Sequence, residues 1–483
     1  MTDADAPRET PSPPDTGGAS EVEHPNLHMP HLHVPDLHPP QSLLRVLGLV
    51  FGLAVVIGGV IGSGIMRAPG LVAQGFTTPA LIIGAWVVGG MVAMLSAMPV
   101  VEAGASVPLA GGPYPIAERA FGRTMGFFTG WIGWVQYAAS SAFIASVFGE
   151  YVHRLGFFEG VSTNVLAGAL IVGAAALNWT GTHISGASQS IASAIKGAAF
   201  IVLTVILFLS PRAPAPPVAI HPLHAIAGAG AAIMAVRLIY QTYAGWDAPI
   251  YFSEEVHRPD RNVARSMFIG IGLVTVVYVL VNAAVLHVLA PSQVAGSTLA
   301  VGDAAKVGLG KAADTVITAI GLFSLAAIVN LQTMTAIRIT FRMARNGALP
   351  SWLGRVALKG TPRQSLVVLM AVSLLFAATG GYESIVRIYA PWSMGVIFIV
   401  CLASIRLRIK EPDLPRPWKM PLFPWIAILA ALIQGALVAV VMIDDPASGA
   451  LSTLVAVAPL PIYLLMAKRW RAWAAREFGT LPR

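Results

Sequence analysis

The chain has 483 residues, 56% of them hydrophobic and only 11% charged, with a mean hydropathy of +0.71. Such a composition excludes a soluble multidomain chain and points to a polytopic membrane protein. The net charge of +8 then reads as a topology signal and an affinity for anionic lipid headgroups, with no nucleic-acid partner required, and the lone cysteine, Cys401, rules out a disulfide framework.

In chain order, residues 1–42 are polar, acidic at the start and Pro-rich, and are expected to be a disordered cytoplasmic tail. The repeats ending in His28, His33 and His38, with His24 and His31, put five of the eleven histidines into fifteen residues. Such a tract either binds Zn²⁺ or Ni²⁺ weakly or is a polyproline-like tail without a defined partner. No cleavable leader is evident, so the first span is expected to direct insertion. Twelve apolar stretches follow, near 45–66, 79–101, 124–150, 162–178, 187–209, 225–252, 267–290, 312–340, 364–380, 384–405, 423–443 and 449–467. Each approaches the roughly 20 residues needed to cross a hydrocarbon core. The segments Pro211–Pro222 and Asp303–Lys311 read as outer connectors.

Lys and Arg settle the expected orientation. Arg119, Arg123, Arg258, Arg261, Arg265, Arg345, Arg355, Lys359, Arg363, Arg406, Arg408, Lys410, Arg416 and Lys419 share one side with the basic tail at 468–483. Only Arg154, Arg212, Lys306, Lys311 and Arg387 fall on the other. By the positive-inside rule both termini are cytoplasmic, in the cytoplasmic membrane.

Two spans are interrupted. Val60-Ile61-Gly62-Ser63-Gly64-Ile65 places three small residues where the first should be continuous, with Pro69-Gly70 following, and Tyr243-Ala244-Gly245-Trp246-Asp247 interrupts the sixth. Backbone freed within a bilayer persists only where it lines a cavity or binds something, and paired breaks mark a transporter's substrate site. The competing reading of Gly58 and Gly62, four apart, is close helix packing.

The motifs carry a resemblance. Ile61 to Ile65 with Ala68-Pro69-Gly70, then Glu102 to Tyr114 through Gly111-Gly112, then Gly126-Phe127-Phe128 with Gly130-Trp131, resemble successive signatures of the amino acid–polyamine–organocation (APC) superfamily of permeases. So do Gly245-Trp246-Asp247 with Glu254-Glu255-Val256, and Ala344 to Pro350 with Gly360-Thr361-Pro362, in the same order. The resemblance implies an all-α, LeuT-like protein of about twelve membrane helices, with helices 1 and 6 unwound. It has an inverted five-plus-five repeat, 43–222 and 223–409, plus trailing helices in 410–467. It implies a secondary transporter of amino acids or related amines, with no enzymatic step, cofactor or metal.

Site chemistry follows from the ligand. The carboxylate suits the amides of Ser63, Gly64 and Ile65 at the start of the second half-helix, with the Ser63 hydroxyl as a further candidate donor, where Gly62 and Gly64 allow close approach. The ammonium needs acceptors, for which the carbonyls of Val60, Ile61, Gln241 and Ala244 are candidates. Gln241 stands where the family often carries an aromatic lid, and Tyr240 or Tyr243 could take that role, beside Trp246. Trp134, Gln136, Tyr137, Asn330 and Gln332 either face the pocket or tie helices together. Lys196 matches the place of a structural cation in sodium-independent relatives. It either bridges the first and eighth spans and carries the coupling proton, or snorkels to an interface. Asp247 either serves coupling or substrate binding, or caps the following half-helix. Arg237 faces the outer side of the break or pairs with Glu150. Glu102, Glu254 and Glu255 read as partners of nearby arginines. The latter two, with Arg258 and Arg261, would form an exposed inner gate worth at most about 1 kcal/mol per pair. Proton symport leads, amino-acid exchange is the alternative, and a non-transporting amino-acid sensor is the reading from another class.

Overall fold

In the computed structural model, which describes residues 43–214, 229–297, 299–379 and 382–479, all long elements are α-helices. The histidine tail and the rest of the connector after residue 214 lie outside these residues. The first span is α1 (Leu49–Val60) and α2 (Ser63–Gly75), followed by α3 (Pro79–Ser106) and a short connector, α4 (Pro113–Phe121). Then come α5 (Arg123–Arg154), α6 (Thr163–Trp179) and α7 (Thr182–Leu209). The sixth span is α8 (Ala229–Thr242), continued after a gap by a 3₁₀ turn at Ala248–Phe252. After α9 (Pro259–Val288), two short helices, α10 (Pro291–Ala295) and α11 (Ala300–Leu309), lead to α12 (Ala313–Arg345). The rest are α13 (Arg363–Thr379), α14 (Tyr382–Lys410), α15 (Trp425–Asp444), and α16 (Pro446–Val457) with α17 (Leu460–Phe478).

Local chemistry sets many of these limits. Thr78 caps α3 by accepting from the Leu81 amide at 3.4 Å, with Pro79 at the first helical position. Pro259 likewise opens α9, and Gly122, at φ 95°, turns the chain between α4 and α5. Among the described residues, seven helices are by length and composition able to cross a membrane, and α1 with α2 makes an eighth span, bent by 49°. The chain is thus an all-α polytopic membrane protein with its first and sixth spans broken.

Three differences from the sequence reading stand out. Asp303–Lys311 is largely helix α11 rather than an open connector, because Ala300, Val301, Ala304 and Ala305 form one fully buried stripe while Lys306 and Asp303 pair in solvent. The continuation of the sixth span is five residues of 3₁₀ turn, not a half-helix. The last span divides into α16 and α17, and α17 continues to Phe478 as a basic amphipathic stretch.

α1 packs between α7 and α9, and α12 lies along α5, so the two breaks face each other inside the bundle. We call the side from which residue 43 leads into α1 the N-terminal face, and the other the distal face. On the N-terminal face the strand-like segment before α1 pairs with the loop after the 3₁₀ turn. Leu47 N–H donates to Glu255 O at 2.9 Å, and His257 N–H to Leu47 O at 2.8 Å.

Candidate substrate site

The first break is two residues of extended backbone, Ile61 and Gly62 (φ −71° and −141°), between α1 and α2. Breaking a helix orphans carbonyls, and here side chains from distant helices take them. The Lys196 ammonium donates to Gly58 O at 2.8 Å and Ile61 O at 2.7 Å. The Ser324 hydroxyl reaches the same Ile61 oxygen at 3.3 Å. The Tyr278 hydroxyl lies 2.8 Å from Val60 O and 3.1 Å from Thr242 O, so one phenol serves both breaks. At 1% exposure Lys196 cannot be snorkelling. It binds the first span directly and meets the eighth, α12, only at the carbonyl shared with Ser324. Both lone pairs of Ile61 O are committed in this conformation.

The second break, Tyr243–Asp247, presses against the first. Gly245 has φ 108°, and a Cβ there would meet the Gly59 backbone at 3.0 Å; a Cβ on Gly59 would in turn meet Gly245 O at 3.2 Å. Glycine is required at Gly245 on both counts. Gly58 does pack closely, under Ser193 and Gln189 of α7, so the small residues of α1 divide between packing and cavity.

Between the breaks is a cavity of about 260 Å³. Gly59, Val60, Gly62 and Gly64 line it from the first break, and Gln241, Ala244, Gly245, Trp246 and Asp247 from the second. Gly64, in the first turn of α2, is exposed to it, where N–H groups lack intrahelical partners. Gln136, Tyr137 and Ser140 of α5, Gln332 and Thr335 of α12, and Tyr389 and Ser393 of α14 complete its polar surface. Ile61, Ile65 and Tyr243 are not among the described lining residues, and the Ser63 side chain lies outside the description. Tyr243 turns its hydroxyl to Trp86 O at 3.0 Å, while Tyr240 stays at the cavity with its hydroxyl bonded to Gln434. Asp247 makes no capping hydrogen bond to the 3₁₀ turn it precedes; it faces the Tyr251 hydroxyl instead, and the Tyr251 ring meets Tyr137 edge-on at 5.5 Å.

The polar residues suspected at membrane depth separate cleanly. Asn330 is a tie between helices, accepting from Asn178 and donating to Gln189, each at 2.9 Å. Gln332 lines the cavity and is held by Ser140 and Ser141, each at 2.9 Å. Trp134 is buried beside the cavity without lining it. The contribution of α14 was invisible in the sequence, because nothing in a tenth apolar stretch marks which helix it faces.

The N-terminal side of the cavity is shut, and not as expected. Glu255 pairs with Arg338 of α12 at 2.6 and 3.0 Å, and both are buried to within 1%. Thr182 adds a 3.4 Å bond, and the guanidinium lies 4.4 Å over the Phe252 ring. Glu254 pairs with Arg342 at 2.8 Å. Arg258 and Arg261 are not their partners, Arg261 lying by Asp260. The expectation of weak exposed pairs is therefore replaced by a buried one, whose rupture by loss of one partner costs about 3–5 kcal/mol. The reason is topological: the turn after Phe252 points Glu255 inward, at a helix some eighty residues downstream. Glu102 is also buried, held by Arg408 at 2.6 and 2.5 Å, with Arg416 at 3.7 Å. Arg237 pairs with Asp444 at 2.9 Å rather than with Glu150.

Comparison with known proteins agrees with this geometry. The family described as amino acid permease matches residues 47–467. The chain is 28% identical over 425 residues to the b(0,+)-type amino acid transporter 1 of Mus musculus, covering 84% of each. It is 27% identical over 439 residues to the serine/threonine exchanger SteT of Bacillus subtilis (strain 168), covering 89% of this chain and 98% of that one. It is 28% identical over 437 residues to the large neutral amino acids transporter small subunit 2 of Homo sapiens, covering 88% and 81%. With two broken spans meeting at a polar cavity and a family match across nearly the whole membrane region, the chain belongs to the amino acid permeases of the APC superfamily and is a membrane transporter, not an enzyme.

Proposed function

We propose that this permease carries small polar amino acids across the cytoplasmic membrane by proton symport, with its N-terminal face in the cytoplasm. The observation that carries the reading is a charge balance. Asp247 is the one charged side chain among the described residues lining the cavity. A zwitterionic substrate places its carboxylate at the start of α2 and its ammonium at the carbonyls of the second break, since those of the first are engaged by Lys196, Ser324 and Tyr278. Asp247 is then left as an unpaired carboxylate in a closing, water-poor site, which is costly. A proton on Asp247 removes that cost, and couples the two movements. Lys196 supplies the buried donor under the first break. The cavity is smaller than the roughly 300–1,000 Å³ of sites for drug-sized ligands, and Gln241 at its edge favours polar side chains over large apolar ones.

The second reading, exchange, is favoured by the relative named as a serine/threonine exchanger. Uptake of labelled serine, threonine, leucine and lysine into proteoliposomes separates the two. Symport predicts accumulation into empty vesicles when the outside is acidified, lost in Asp247→Asn. Uptake only into vesicles preloaded with amino acid, indifferent to the pH gradient, overturns symport and leaves exchange.

A further inference from the structure

A second cavity lies on the N-terminal face, away from the two breaks, between α4, the ends of α12 and α14, and α17. Its volume is about 760 Å³. Six basic side chains line it: Arg119 and Arg123, Arg342 and Arg345, Lys410 and Arg471. Its two carboxylates are too few to balance six cations. Glu411 is engaged by Arg119 at 2.7 Å, and Glu118 by the Asn346 amide at 2.5 Å. Burial raises the affinity of Glu118 for a proton. Among the described residues Arg123, Lys410 and Arg471 form no ion pair. Arg342 is 7% exposed, and its Nε makes no hydrogen bond while its Nη1 is held by Glu254.

Converging guanidinium groups in a concave site are the arrangement that recognises phosphate oxygens, because each planar fork offers paired donors. Basic pockets between helices on the cytoplasmic side of a membrane protein bind anionic headgroups for the same reason. We infer that this cavity binds a phosphate-bearing anion, either a lipid headgroup or a soluble phosphorylated compound. An anion there sits across four helices and competes with Glu254 for Arg342. It therefore acts on the closure of the N-terminal face, without touching the substrate cavity.

The full chain, purified in detergent, tests this at constant ionic strength. Unfolding midpoints are measured with added phosphatidylcholine, phosphatidylglycerol or inorganic pyrophosphate, and retained lipid is counted by native mass spectrometry. The wild type is expected to be stabilised by phosphatidylglycerol over phosphatidylcholine. The double variant Arg123→Gln/Arg471→Gln should bind about tenfold or more weakly, while unfolding as the wild type does when no anion is added. Stabilisation by phosphatidylglycerol alone identifies a headgroup as the source; stabilisation by pyrophosphate as well identifies the free phosphate chemistry. Equal shifts with phosphatidylcholine, or a double variant that keeps the full shift, overturn the proposal. A variant that is unstable without anion is replaced by Lys410→Gln, read in the same way.

Discussion

The two breaks face each other across one cavity, yet they are built differently. The first is almost all main chain, and side chains from α7, α9 and α12 reach in to satisfy it: Lys196, Tyr278 and Ser324. The second brings its own side chains, with Gln241, Trp246 and Asp247 at the cavity and Glu255 at its foot. The first break is held almost wholly from outside; the second shares only Tyr278 with it. A main-chain cradle held by buried donors thus faces a segment that carries its own side chains into the cavity.

Substitutions can break this contrast, and the largest effect is expected at the foot of the second break. Glu255→Gln leaves the Arg338 guanidinium buried without its carboxylate, a loss of about 3–5 kcal/mol to the closed N-terminal face. Cysteine accessibility of the cavity from that face should rise sharply; unchanged protection would show that the pair is not a gate. At the first break, Lys196→Met removes the side-chain donor from Gly58 O and leaves Ile61 O to Ser324 alone, at about 1–3 kcal/mol for a buried group left unsatisfied. Thermal stability and uptake should fall together, and a variant with full pH-dependent uptake would deny Lys196 any part in coupling. Where the breaks touch, Gly245→Ala sets a Cβ against the Gly59 backbone at a positive φ, a strain of about 1–3 kcal/mol, read as a lowered unfolding midpoint with weakened substrate binding. Tyr278→Phe, removing the hydroxyl shared between Val60 and Thr242, should cost about 1 kcal/mol, and raise KM more than it lowers the maximal rate. The distal face supplies the smallest effect: Arg154 and Asp314 pair with both side chains over 40% exposed, so Arg154→Ala should shift stability by under about 1 kcal/mol.

Much of the molecule was legible before any coordinates. Hydropathy marked the long apolar helices, seven of which, with the bent first pair as an eighth, are long and apolar enough to cross a membrane among the described residues, since a bilayer demands length and apolarity of each helix by itself. The glycines at Gly62, Gly64 and Gly245 announced both interruptions, because helix-breaking residues in a membrane span are a local property of the chain. Lys196 was conspicuous for the same reason, as a charge in an apolar run. The identities of partners were not legible. Glu255 reads with Arg258 and Arg261, its sequence neighbours, whereas the fold gives it Arg338; of the two lid candidates Tyr240 and Tyr243, α3 takes the hydroxyl of Tyr243 and only Tyr240 lines the cavity.

The sequence by itself therefore determined where helices lie, where two of them fail, and which family of transporters they build, since periodicity, hydropathy and local motifs need only neighbouring residues. Tertiary structure alone decided which side chains satisfy the first break, that Asp247 is the one charged group among the described residues lining the cavity, that α14 contributes to it, and that Glu255 pairs with Arg338 in a buried site. Those are contacts between segments far apart in the chain, and in a helical bundle the rotation of each helix against its neighbours chooses them.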